Sequence, residues 1–143
     1  MPDRHARGLL DTSVVIDLER HEAGDLPLEL AVSAVTMAEL AAGSHATADP
    51  RKRAERMLRL QHAEATFDQL PFDSDAARAY GRIYAAVISA GRKAPGRRAL
   101  DLLIAATALS NKLPLYTQNV EDFTPFTDIL DVVTVQPTAS PPS

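Results

Sequence analysis

The 143-residue sequence has no cysteine, which excludes disulfides, thiolate metal centres and cysteine nucleophiles together and suits a reducing, cytoplasmic setting. Long apolar runs are also missing. None reaches the roughly 18 residues a bilayer crossing needs, so no membrane partner is expected. The opening "MPDRHARG" is charged, with no apolar core behind it, and does not read as a secretory signal. Positive charge is not in excess: 15 Lys and Arg stand against 19 Asp and Glu, a net charge of -4. That balance excludes a protein coated in positive charge to hold nucleic acid and leaves room only for local basic patches. His5, His21, His45 and His62 lack metal-site spacing such as HExxH, and Ser13 has no matching histidine and acid, so a serine hydrolase gains no support.

What remains is an ordinary globular composition, 45% hydrophobic and 24% charged, on a chain long enough for one good core. A single domain is expected over residues 1–136, with 137–143, in "QPTASPPS", too poor in apolar residues to order itself. "RGLLD" reads as a buried strand entering a helix, "TSVVIDLER". "LELAVSAVT" reads as a second strand closing on Thr36, which would cap the helix "MAELAAGS". Asp49-Pro50 starts a helix with Ala54, Met57, Leu58 and Gln61 on its inner side. "FDQLPFD" suits an edge strand limited by Pro71. Ala76, Tyr80, Ile83, Tyr84, Val87 and Ile88 recur at helical spacing ahead of Gly91. "ALDLLIAATALSNK" is apolar nearly all round and should be buried; "LPLYT" and "DVVTV" close the chain as strands. Alternating strands and helices predict a three-layer α/β/α domain with a mainly parallel central sheet.

In such sheets, ligands bind beyond the carboxyl ends of the strands, so residues just after each strand share a site. Asp11 ends the first strand, Glu39 lies one turn into the helix after the second, and Asn119 and Asp122 follow "LPLYT". Asp101 opens the buried helix and reaches the same edge if that helix points its N-terminus there. Each acid also has a plain structural reading. Thr36 and Glu39 are spaced as a capping box, and Asp11, Asp101 and Asp122 could serve a cap, a helix dipole and a turn. Their joint placement says more. Two carboxylates about 4 Å apart repel by roughly 4 kcal/mol at an effective dielectric of ~20, so a cluster calls for a cation. All-oxygen ligands select Mg²⁺ or Mn²⁺ over zinc.

"LLDTSVVIDL", the "TMAEL" around Glu39, "LDLLIAATAL" and "LYTQNVEDF" occur in the order and approximate spacing of the PIN-domain nucleases. The chain most closely resembles the VapC-type toxins of bacterial toxin–antitoxin pairs, from about residue 8 to about residue 135. This resemblance implies a PIN-type α/β/α fold, Mg²⁺-dependent endoribonuclease activity on an RNA substrate, a homodimer, and neutralisation by a small cognate antitoxin. It places Asp11, Glu39 and Asp101 at acidic metal positions and gives Thr12 or Ser13 the supporting hydroxyl. Many members carry an acid where Asn119 stands. Asp122 is expected to supply the missing charge, with Thr117 and Asn119 in support.

Arg92, Lys93, Arg97 and Arg98, just before Asp101, read either as a solvated loop or as a grip on the RNA backbone. The second basic stretch, Arg51 to Arg59, reads as a solvent face, and Tyr80 and Tyr84 as packing residues. Two rival functions remain. A phosphoaspartate phosphatase would want an acid where Ser13 stands, and a receiver domain lacks its phosphoacceptor after a middle strand. A non-catalytic PIN-fold module binding RNA or protein takes Asn119 as its supporting feature.

Overall fold

The computed structural model describes residues 5–91 and 99–138. Arg92, Lys93, Arg97 and Arg98 lie outside the described residues, as do 1–4 and 139–143. Five strands, β1 (Arg7–Leu10), β2 (Glu29–Ser33), β3 (Asp68–Leu70), β4 (Leu115–Thr117) and β5 (Val132–Thr134), form one sheet ordered β3-β2-β1-β4-β5. Every neighbouring pair is parallel. A parallel sheet needs cover on both faces, and the strand sequences supply it by alternation. Leu9, Ala31 and Leu115 enter one core, where they meet Ile83, Ile104 and Phe123. Leu10, Val32 and Tyr116 enter the other, with Val14, Met37 and Phe67.

The helices α1 (Thr12–Ile16), α2 (Ala34–His45), α3 (Pro50–Thr66), α4 (Ser74–Ser89) and α5 (Ala99–Ser110) make the outer layers. Residues of α1, α2 and α3 pack on the Leu10 side, and those of α4 and α5 on the Leu9 side. Asp49 caps α3 through the Arg51 amide with Pro50 in the first turn, as its sequence predicts. Gly91 ends α4 with a φ of +76°, a conformation that favours glycine. Within α5, Leu102 and the run from Ile104 to Ala108 are buried, as an all-round apolar helix should be.

Four local expectations change. The first helix stops at Ile16, because Asp17 leaves helical geometry and its carboxylate accepts a hydrogen bond from the Gln118 side chain; Leu18–Arg20 follow as a 3₁₀ turn. The inner face of α3 is carried by Leu60 and Ala63, with Phe67 beyond the helix end, while Ala54, Leu58 and Gln61 face solvent. On α4 the buried stripe is Ala76, Ala79, Ile83 and Val87; Tyr84 and Ile88 sit one residue further round and are exposed. Thr138, at the start of the expected tail, is bonded to the domain. Thr138 donates through both its amide and its hydroxyl to the Arg20 carbonyl, and Arg20 donates back to the Thr138 carbonyl.

Gly8 marks a close approach within the sheet. A Cβ there would fall 2.5 Å from Cε1 and 2.9 Å from Cδ1 of Tyr116, with Pro27 Cγ at 3.0 Å on the other side. Tyr116 is buried, so its ring has little room to yield. Gly8→Ala is therefore expected to lower stability by about 1–3 kcal/mol in a denaturant titration. An unchanged midpoint would show that the Tyr116 ring can move aside.

Candidate active site

The strand order reverses direction of growth between β1 and β4, the switch point at which such sheets bind ligands. Asp11 follows β1 at its carboxyl end, at that switch point. It is only 4% exposed, and its carboxylate accepts three hydrogen bonds. One oxygen takes the Thr12 amide at 2.8 Å, which makes Asp11 the N-cap of α1. The other takes the hydroxyls of Ser13 at 3.0 Å and of Thr117, at the end of β4, at 2.8 Å. The Thr117 hydroxyl also accepts the Asn119 amide, and Ser13 accepts the Gln118 amide, so the chain leaving β4 is tied to the same aspartate.

Glu39 reaches the site from α2. The Thr12 hydroxyl donates to its carboxylate at 2.8 Å and lies 2.9 Å from the Thr36 hydroxyl. This geometry removes the capping-box reading. Ser33 caps α2 by accepting the Val35 amide, Thr36 lies inside the helix fully buried, and Glu39 is turned toward Thr12. Ser33 lies inside the predicted strand, where the Val-rich run concealed the cap hydroxyl it offers.

Burial raises the pKa of Asp11, and this outweighs the lowering by Thr117, Ser13 and Thr12; the charge of Asp122 raises it further. Burial likewise raises Glu39, partly offset by the Thr12 hydrogen bond, with the charge of Asp11 adding to the rise. Among the described residues neither carboxylate has a basic partner in an ion pair.

Asp122 is half-buried on the 3₁₀ turn Val120–Phe126, near enough to Asp11 to act on it, whereas Asn119 is exposed ahead of that turn. Asp101 lies in the first turn of α5 and is half-exposed. The Thr107 hydroxyl, six residues on, meets Ser33 at the end of β2, at 3.3 Å. At 1.5 Å per residue, Asp101 stands about 9 Å further along the helix, beyond the carboxyl edge of the sheet. Two cavities lie along α3, and the smaller reaches Glu39. One of about 300 Å³ is lined by Thr12, Ile16, Glu39, Leu40, Arg56 and Arg59. A larger groove of about 390 Å³ runs between α3 and the end of α1 and shares Ile16 and Arg59. Arg56 and Arg59 thus leave the plain solvent face expected for them. Their spacing from Leu60 and Ala63 carried that signal once the inner face of α3 was correctly placed.

A family model described as PIN domain matches residues 8–123. The chain belongs to the PIN domain family. Among curated proteins it is similar to Ribonuclease VapC5 of Mycobacterium tuberculosis, 40% identical over 121 residues that cover 82% of this chain and 86% of the relative. Ribonuclease VapC of Rickettsia bellii is 30% identical over 135 residues, covering 89% and 95%. Among solved structures, that of VapBC-5, a member of the VapBC family of toxin–antitoxin systems from Mycobacterium tuberculosis, superposes with a TM-score of 0.78 at 36% identity. The match covers 92% of this chain and 98% of that one. VapBC-1 from nontypeable Haemophilus influenzae gives 0.70 at 26% identity, covering 90% and 97%. The resemblance to VapC-type PIN nucleases and the α/β/α architecture both stand.

In this PIN domain the acids do not form a closed metal cage. Among the described residues, no three His, Asp or Glu side chains converge into a ready-made site. The donor chemistry still fits a hard divalent cation: two carboxylates drawn out of water, without a basic partner among the described residues, beside hydroxyl oxygens.

A pH dependence follows. Both folded-state pKa values lie above the ordinary 3.8 and 4.5, so folding favours the protonated forms. Their stabilising contribution is complete below those ordinary values and is lost as pH rises through the folded ones. Metal-free protein should therefore lose this share of its stability as pH rises above the ordinary values of 3.8 and 4.5 and through the raised folded ones. Glu39→Gln, which keeps an acceptor for Thr12, should flatten that decline in thermal melts in EDTA. A Glu39→Gln protein that melts earlier than the parent at every pH would contradict it.

Proposed function

We propose that the chain is the toxin of a type II toxin–antitoxin pair, a Mg²⁺-dependent endoribonuclease for which Mn²⁺ can substitute. The observation that carries this reading is the pair of acids, buried Asp11 and half-buried Glu39, joined through Thr12 at the switch point of a PIN fold. The kinship with proteins named ribonuclease VapC, and with VapBC complexes, supports the RNA substrate and the antitoxin partner. Asp11, Glu39, Asp101 and Asp122 would hold the cation, which when bound supplies charge neutralisation at the scissile phosphate and makes water more acidic. Thr117 and Ser13 hold the Asp11 carboxylate in one orientation. Thr12 does the same for Glu39, and Thr36 orients Thr12. With its N–H tied to Thr117 and its side chain exposed, Asn119 is placed to face RNA or water, and Asp122 takes the fourth acidic role.

An antitoxin segment that blocks the site should bring an arginine, because an acidic pocket suits a guanidinium fork. For self-association, Tyr84 and Ile88, one turn apart on α4, offer an exposed apolar strip. The rival reading, a non-catalytic PIN module, draws on the uncharged Asn119 and on the open arrangement of the acids.

Labelled total RNA incubated with Mg²⁺ or EDTA decides between them. Cleavage is expected only with Mg²⁺. Asp11→Asn, Glu39→Gln and Asp101→Asn should each reduce it by at least about 100-fold with the fold intact, since each removes an anionic ligand. Asp122→Asn should raise the Mg²⁺ requirement more than Asn119→Ala. Expression of the parent, but not of Asp11→Asn, should arrest growth. Glu39→Gln cleaving at the parent rate would return Glu39 to a structural role, and no cleavage by the parent would favour the non-catalytic module.

A further inference from the structure

We propose that Arg56 and Arg59 of α3 form the phosphate-binding wall of the cavity beside Glu39, holding an RNA phosphate next to the one that is cut. This rests on the ribonuclease reading and adds a substrate subsite to it. An acidic site on a chain of net charge -4 repels a polyanion, so RNA must be gripped by cations placed at its border. Arg56 and Arg59, one turn apart and therefore on one face of α3, both line the cavity that Thr12 and Glu39 close from the other side.

The two guanidinium groups are differently held. Arg56 Nη1 donates to the Gly43 carbonyl near the end of α2, at 2.9 Å, which fixes the group at the cavity rim with its remaining N–H donors available. Arg59 is half-buried and makes no ion pair among the described residues, although Glu55 lies one turn back; Glu55 approaches Arg51 instead, at 3.9 Å. A planar fork of donors engaged in no hydrogen bond or ion pair among the described residues suits a phosphate, which it can grip with two parallel bonds. Beside Thr12 and Glu39 the lining includes the apolar Ile16 and Leu40, and Ile16 is 45% exposed. A nucleotide can therefore rest its phosphate on the arginines and its base on these aliphatic side chains.

The test uses the full chain and a single-stranded RNA oligonucleotide. KM and kcat are measured across a range of salt for the parent, Arg59→Ala, Arg59→Lys and, as a control on the exposed part of α3, Arg51→Ala. Fluorescence anisotropy in EDTA reports binding of the same RNA. Arg59→Ala should raise KM roughly 10-fold, the loss of one charge-assisted contact, with a much smaller change in kcat. The dependence of log affinity on log salt should become shallower by about 0.7, the value of one phosphate contact on a single strand. Arg59→Lys should recover the salt slope but only part of the KM. Arg59→Ala matching Arg51→Ala in both KM and salt slope would overturn the proposal while leaving the ribonuclease reading intact. A parent that binds RNA through Arg59 yet cuts nothing would overturn the ribonuclease reading alone. Loss of binding to a protein partner with RNA kinetics unchanged would also overturn the phosphate wall.

Discussion

The buried carboxylate of Asp11 is the constraint around which the carboxyl edge of this domain is arranged. It caps α1, receives the hydroxyl at the end of β4, and stands within electrostatic reach of Asp122. An ionised carboxylate without a basic partner is costly to bury, and three hydrogen bonds reduce that cost without removing it. The raised pKa records the remainder. A fold that kept Asp11 for capping alone could leave it at the surface, as Asp49 and Asp73 are left at the starts of α3 and α4. Its burial next to a second acid stores an affinity for positive charge.

The doubly wound sheet makes that placement possible. With β1 central and β4 beside it, residues more than a hundred positions apart, Asp11 and Thr117, come within 2.8 Å. Glu39 arrives from the neighbouring strand's helix, and Thr12 couples it to the Asp11 cap. Polar groups therefore link β1, α2 and β4 at one edge, while Leu9, Leu10, Ala31, Val32 and Leu115 keep the middle of these strands apolar. Disturbing one hydroxyl in this network moves its neighbours, so Thr12, Thr36 and Thr117 act as one positioning unit rather than as separate contacts.

Much of this was legible in the residues. Strand positions followed from short Val- and Leu-rich runs, and Asp11 and Glu39 met at one edge as the strand-end rule requires. The helix caps divided. Asp49-Pro50 announced itself because both residues act locally, whereas Ser33 was hidden inside an apolar run and Thr36 took its place in the reading. Periodicity also misplaced the inner face of α3. That helix is docked by its far end, Ala63 and then Phe67, and its first turns carry little apolar pattern to read. The same error concealed Arg56 and Arg59, whose approach to Glu39 depends on how α3 lies across α2. Their spacing from Leu60 and Ala63 marks that side of α3, but it can be read only once the docked end of the helix is known.

Asp11 and Glu39, with no basic ion-pair partner among the described residues, and Arg56 and Arg59, with no acidic one there, make a site whose two halves are complementary to a metal ion and to a phosphate. The central claim is that the Asp11 and Glu39 pair is a cation site. Anomalous diffraction from crystals soaked in Mn²⁺ tests it most directly. A single strong peak contacting both carboxylates is the result this account predicts; no peak there, with Thr12 still bonded to Glu39, would contradict it.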